Sequence, residues 1–217
     1  MSEYFELMGQ GGPLIIPIFL ASVIALAVFI ERIIALRSDR VFPSNLAVTV
    51  LELVTQNNYD AALGLAQQHK NPLGALIQVC LQSRKKGRSA AKERMEEVGS
   101  VEVARLSRYV GTLSSIATVT PLLGLLGTVT GMIKVFKSVA AVSDPQIAEL
   151  AGGIWEALLT TVAGLAVAIP AFLAYRYLEG RIDKTAETLQ EYGLQLLEQV
   201  FPTAAETTTK GAAEGDK

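Results

Sequence analysis

Residues 152–175 read "GGIWEALLTTVAGLAVAIPAFLAY" and carry a single charged side chain, Glu156. From Ile154 to Tyr175 the run is long enough to cross hydrocarbon, which takes about 20 residues at 1.5 Å each. An acid at the edge of such a run is costly, and acids placed there line a pathway or meet a partner. Two further stretches have similar character. One is "PLIIPIFLASVIALAVFI" at 13–30, which continues past Glu31 and Arg32 into "IIAL"; the other is "GTLSSIATVTPLLGLLGTVTGMIKVF" at 111–136. A lone segment in lipid can satisfy its own backbone only as a helix, so all three are expected to be helical. The fold class that follows is all-α: an integral membrane protein with three transmembrane helices and extended cytoplasmic helices.

The bulk composition agrees. Half of the 217 residues are hydrophobic and 18% are charged, below the roughly 25% of an average soluble domain. A net charge of −2 offers no basic surplus for nucleic acid. Cys80 and His69 are each the only residue of their type, so a disulfide within the chain and a Cys/His metal cluster are excluded. His69 reads as a solvated loop residue. No cofactor or metal site is expected, and no nucleophile–base set or phosphate loop supports an enzyme. The glycines of "GLLGTVTG" lie inside a membrane helix rather than after a strand, which removes the dinucleotide reading.

Basic residues orient the spans. Glu3 and Glu6 precede the first span, whereas Arg32, Arg37 and Arg40 follow it, and 84–108 is rich in Arg and Lys. The N-terminus is therefore expected outside and the C-terminus in the cytoplasm. The acidic start, with a core ending in Glu31-Arg32, makes the first span an anchor rather than a cleaved signal. The expected organisation is an outer segment 1–12, spans at 13–36, 111–136 and 153–178, and a cytoplasmic helical region 37–110. A short outer connection 137–152, an amphipathic cytoplasmic helix 179–201 and a disordered tail 202–217 complete it. Within 37–110, Ser44 is a cap candidate and Asn71-Pro72 a stop. The charged stretch 90–110 is expected to run into the second span. Ile182, Leu189, Leu196 and Val200 mark the apolar side of the last helix.

Taking about 100° per residue, Thr160, Ala163, Gly164, Val167, Ala171 and Ala174 fall near Glu156, with Ala157, Ala168 and Thr161 extending that face. Trp155, Leu158, Val162, Leu165, Ile169, Phe172 and Leu173 occupy the other. In the second span, Pro121, Gly124, Gly131 and Met132 gather around Thr128, with Thr120 and Gly127 nearby. Thr128 and Thr161 should lie in one layer, roughly 10–12 Å below the outer surface. Small faces allow close helix approach, so Gly124, Gly127, Gly131 and Gly164 are packing candidates. Pro121 and Pro170 are tolerated kinks. Two readings stay open: hydroxyls that bond only their own backbone, and a Glu156 simply paired with Lys134 or Lys137.

The run Pro-x-x-Gly-x-x-Gly-Thr from Pro121 to Thr128, followed by Glu-Ala-Leu-Leu-x-Thr from Glu156 to Thr161 with Gly164 and Pro170 after it, resembles the ExbB/TolQ/MotA proton-channel family, most of all ExbB and TolQ. The resemblance covers the three spans and the order of loops. It implies an inner-membrane homopentamer around a dimer of a single-span ExbD/TolR-like protein, passing protons inward and turning proton-motive force into mechanical work. That work would reach a TonB- or TolA-like periplasmic transducer. It further implies that an aspartate on the partner is the main proton carrier, with Thr128, Thr161 and Glu156 lining the path beside it; Thr160 is grouped with them as pathway or partner-facing. Three spans and a moderate loop favour ExbB/TolQ over flagellar stators. The resemblance leaves open which machine is driven: TonB-linked import, Tol-Pal maintenance, gliding or another. A non-conducting membrane scaffold is the rival from a different class. A secondary transporter is disfavoured because no internal repeat is present.

Overall fold

A computed structural model describes residues 12–141 and 147–202. The outer segment before Gly12, the middle of the 137–152 connection and the tail from 203 lie outside the described residues. Among those described, every regular element is a helix. They are α1 (Ile15–Ala35), α2 (Ser38–Val41), α3 (Ser44–Thr55), α4 (Tyr59–Gln68), α5 (Pro72–Gln82), a 3₁₀ turn (Arg84–Lys86), α6 (Arg88–Leu106), α7 (Val110–Ala141) and α8 (Ile147–Val200). Three are long and apolar enough to cross a membrane: α1, α7 and α8. The chain divides into two units, one of Met1–Ile33 with Tyr109–Glu179, the other of Ile34–Arg108 with Gly180–Lys217.

The first unit turns much of its apolar surface outward. On α1 only Ile15, Ile18, Ala25 and Arg32 are buried, a narrow stripe at spacings of three, seven and seven residues. Ile16, Phe19, Leu20 and Leu26 are exposed. Trp155, Leu158, Val162, Leu165, Ile169, Phe172 and Leu173, the bulky side of α8 expected from the sequence, are exposed as a set. Exposed apolar surface on this scale needs lipid or other protein to cover it.

The second unit has an ordinary soluble core. Leu46, Val50, Val54, Ala62, Ala66, Leu73, Leu76, Ile77 and Cys80 pack with Leu189, Tyr192, Leu196 and Val200 from the end of α8. Phe42 meets the Tyr192 ring edge-on with centroids 5.7 Å apart, and the Tyr192 hydroxyl donates to the Ala47 carbonyl at 3.1 Å. The amphipathic stripe expected over 179–201 is this buried side: Ile182, Leu189, Leu196 and Val200 are all buried. Burial pushes the Cys80 thiol up to about 12. Little thiolate then exists near neutrality, and the thiolate is the reactive form. Folded protein is therefore expected to resist maleimide at neutral pH and to react fully once unfolded, as intact-mass spectrometry would show; rapid labelling of folded protein would contradict this packing.

Local boundaries differ from expectation in instructive ways. Ser44 does not cap α3; Pro43 takes the N-cap position in an extended conformation, without a side-chain cap bond. Asn71 does not stop α4, which ends at Gln68, but caps α5 through Gly74 N–H at 2.7 Å with Pro72 in its first turn. Proline suits that place because its missing N–H would go unpaired there anyway. The charged helix does not run into the second span. It stops at Leu106, and Tyr109 takes φ 66° before α7 begins. A left-handed tyrosine interrupts the helical ladder; its ring lies 5.5 Å from the Arg32 guanidinium. Beyond the expected limits 111–136, α7 reaches Ala141, and α8 is one unbroken helix across the 178–179 boundary.

Candidate ion-pathway site

The site is built on the seam between α7 and α8. Along the seam the buried positions of α7 between 113 and 135 are Leu113, Ile116, Thr120, Gly124, Gly127, Gly131 and Val135; those of α8 between 157 and 171 are Ala157, Thr160, Gly164, Ala168 and Ala171. Both stripes step by three or four residues, the spacing of one helical face. The glycines are what let the backbones approach. A Cβ on Gly124 would lie 3.0 Å from Thr161 Cα and 3.2 Å from the Thr160 carbonyl oxygen. One on Gly131 would lie 2.7 Å from Ala157 Cβ, and one on Gly164 3.2 Å from Gly124 Cα. Gly153, at the start of the expected third span, adds a contact with the Val135 side chain.

At this distance a side-chain hydroxyl can reach across. Thr161 Oγ1 donates to the Gly124 carbonyl at 2.8 Å, a bond between helices. Thr128 Oγ1 donates to the Leu125 carbonyl of its own helix at 2.7 Å. Thr160 is placed differently from expectation. It is 2% exposed, packs on Gly127, and donates its hydroxyl to the Glu156 backbone carbonyl at 2.8 Å. It is therefore a seam residue and not one facing a pathway or partner, because the closing of α7 on α8 covers it. Pro121 is half-buried beside the seam, whereas Pro170 is exposed away from it; both helices pass through their prolines.

Glu156 is 28% exposed at its side chain, and its Oε1 lies 2.9 Å from Lys134 Nζ. Of the two lysines open to it on sequence grounds, Lys134 is the one paired. The chain before α1 also comes to this carboxylate: Gly12, at φ 68°, has no room for a Cβ on its Glu156 side. That approach had no signal in the sequence beyond a glycine pair.

Rotation about each helix now places the groups. From the buried centre of α7, Thr128 lies about 60° to one side and Lys134 about 60° to the other. From the buried centre of α8, Thr161 lies about 60° to one side and Glu156 about 80° to the other. The antiparallel helices and the Lys134–Glu156 bond put Thr128 and Thr161 on the same edge of the seam and Glu156 on the opposite edge. A single chain therefore does not gather the acid and both hydroxyls around a common point. It offers a hydroxyl edge and an ion-paired edge, with a glycine-lined contact between.

Residues 68–191, more than half the chain, match the MotA/TolQ/ExbB proton channel family. The chain belongs to that family. An ExbB homologue in biopolymer transport from Methanothermobacter thermautotrophicus is 34% identical over 186 residues, covering 85% of this chain and 66% of the relative. The biopolymer transport protein ExbB of Salmonella typhimurium is 37% identical over 99 residues, which is 44% of this chain and 41% of that one. The Tol-Pal system protein TolQ of Haemophilus influenzae is 37% identical over 92 residues, 42% of this chain and 39% of that one. The chain thus spans slightly under two thirds of the archaeal relative's length, and the match to the two bacterial proteins is shorter still. As a member of the MotA/TolQ/ExbB family with three apolar helices of spanning length, it is a membrane protein.

Proposed function

We propose that this protein is the ExbB/TolQ-like subunit of an inner-membrane, proton-driven motor. Five copies surround a dimer of a single-span ExbD/TolR-like protein, and proton-motive force is converted into work on a TonB- or TolA-like transducer. The N-terminus faces the periplasm and the C-terminus the cytoplasm. The observation that carries this reading is the hydroxyl edge. Thr128 and Thr161 stand on one side of the seam within about one helical turn, 5.4 Å, of the same depth. Hydroxyls both donate and accept, so they can solvate a proton carrier on a partner helix without adding fixed charge. The exposed apolar faces of α1, α7 and α8 give lipid and neighbouring copies their contact surfaces. Moving one charge through 100 mV releases about 2.3 kcal/mol, so each working stroke needs several protons or must be short.

A scaffold without conduction is favoured by two observations: Thr128 bonds its own backbone, and Glu156 is ion-paired. Vesicles separate the two readings. The full chain reconstituted with a single-span partner encoded beside it is expected to collapse an imposed proton gradient faster than the chain alone. Equal, background leak in both would establish the scaffold.

A further inference from the structure

Lys134 is one of only two basic residues from the start of the second apolar stretch at 111 to the end of the third at 175, the other being Lys137. The other described ion pairs, Arg32–Glu31, Lys92–Glu96, Arg105–Glu102 and Arg176–Glu179, each join near neighbours on a single helix. Lys134–Glu156 joins two helices at 2.9 Å. Three separate parts of the chain converge there: α7 brings the ammonium, α8 the carboxylate, and the lead-in to α1 brings Gly12 against the carboxylate. Glu156 is further anchored by the Thr160 hydroxyl on its own backbone carbonyl. A carboxylate so held has its charge offset by a fixed cation and its direction set by a glycine that leaves room for nothing larger.

We propose that Lys134 is a positioning and selectivity residue: it holds the Glu156 carboxylate toward Gly12 and cancels its charge, so that this end of the α7–α8 pair does not concentrate metal cations. The inference rests on the proton-motor reading. Its physical basis is that an uncompensated charge in a cleft with low-dielectric walls draws counter-ions, whereas a closed pair does not. A hydrogen-bonded edge still passes protons, since hydroxyls relay them without needing a local excess of cations. With lysine replaced by methionine, the stem's packing is largely kept and the free carboxylate becomes a cation-collecting group.

The test uses the full chain with its single-span partner in vesicles, reading proton and sodium permeability separately. Lys134→Met is expected to raise sodium permeability relative to proton permeability about tenfold, the lower end of what a focusing cleft does to local ion concentration. Lys134→Arg, which preserves the cation, and Lys137→Met, which removes an exposed cation one turn away, are expected to keep the wild-type ratio. A purely structural loss would lower both permeabilities together and leave the ratio unmoved. Wild-type proton flux with an unchanged ratio in Lys134→Met overturns the selectivity role alone, as does an equal rise in Lys137→Met. Absence of proton flux in the wild type overturns the motor reading and the selectivity role with it. A second readout needs no conduction. The carboxyl adds to a carbodiimide to give an O-acylisourea, and the lysine amine attacks its acyl carbon and expels the urea. The amide-linked pair is lighter by the elements of one water, carried off in that urea. Wild-type membranes should yield the Lys134–Glu156 cross-link by peptide mass spectrometry; its absence, with Glu156 otherwise labelled, overturns the pairing itself.

Discussion

Gly164→Leu is expected to abolish assembly of the α7–α8 pair. A Cβ at Gly164 meets the Thr120 carbonyl oxygen and would sit 3.2 Å from Gly124 Cα and 3.3 Å from Gly124 N. These are backbone atoms on the facing helix, so no rotamer change relieves the clash; the helices must separate. Separation also lengthens the Thr161–Gly124 hydrogen bond, now 2.8 Å, and leaves a carbonyl without its donor. Overpacking costs about 1–3 kcal/mol in well-packed sites, and loss of the bond adds about 1 kcal/mol. The measurement is the thermal transition and size-exclusion profile in detergent. Gly152→Ala is the control, because a Cβ there meets nothing within 4 Å and alanine favours the helix. A Gly164→Leu protein with the wild-type transition would show that the seam is not closed as described.

Thr161→Val is expected to leave the seam assembled and to remove most proton flux. Valine keeps the shape but loses the only side-chain donor offered to the Gly124 carbonyl in the described bond. In a low-dielectric site, an unmet polar group costs about 1–3 kcal/mol, and 1.36 kcal/mol is a factor of ten in rate. Flux should therefore fall roughly ten- to hundredfold, while Thr161→Ser, which restores the hydroxyl, should recover most of it. Glu156→Ala on the opposite edge should also impair work driven by proton-motive force with the oligomer intact, but by releasing Lys134 rather than by removing a hydroxyl station. Normal energised uptake in both variants at wild-type expression would sink the assigned roles. So would a Thr161→Val protein that conducts normally yet melts early, since the hydroxyl would then serve packing alone.

These variants bear on what could be read in advance. The length of each apolar stretch, the helical nature of 154–175, and the bulky row from Trp155 to Leu173 follow from periodicity, and the same residues are the exposed ones. The Gly124, Gly127, Gly131 and Gly164 contacts were legible for a similar reason: residues without side chains, spaced three or four apart, permit only one kind of neighbour. Less legible were the chain breaks. Tyr109 gave no hint of a left-handed conformation, because nothing in an aromatic side chain favours φ 66°; its place under Arg32 comes from a helix far away in sequence. Ser44 likewise had the chemistry of a cap, but the preceding proline held the cap position instead.

Amino-acid order alone determined that three rods of spanning length alternate with a polar helical region, and that one face of each inner rod is small, since apolar length and 3.6-residue spacing are properties of a single segment. Tertiary structure decided which way those faces turn. A step of about 100° per residue leaves Thr160, Thr161 and Glu156 close enough in angle to be grouped together. Only the closing of α7 on α8 sends Thr160 into the seam, Thr161 to the edge of Thr128, and Glu156 to Lys134. The reason is steric: glycine backbones select the contact that admits them, and every other side chain's direction follows from that contact.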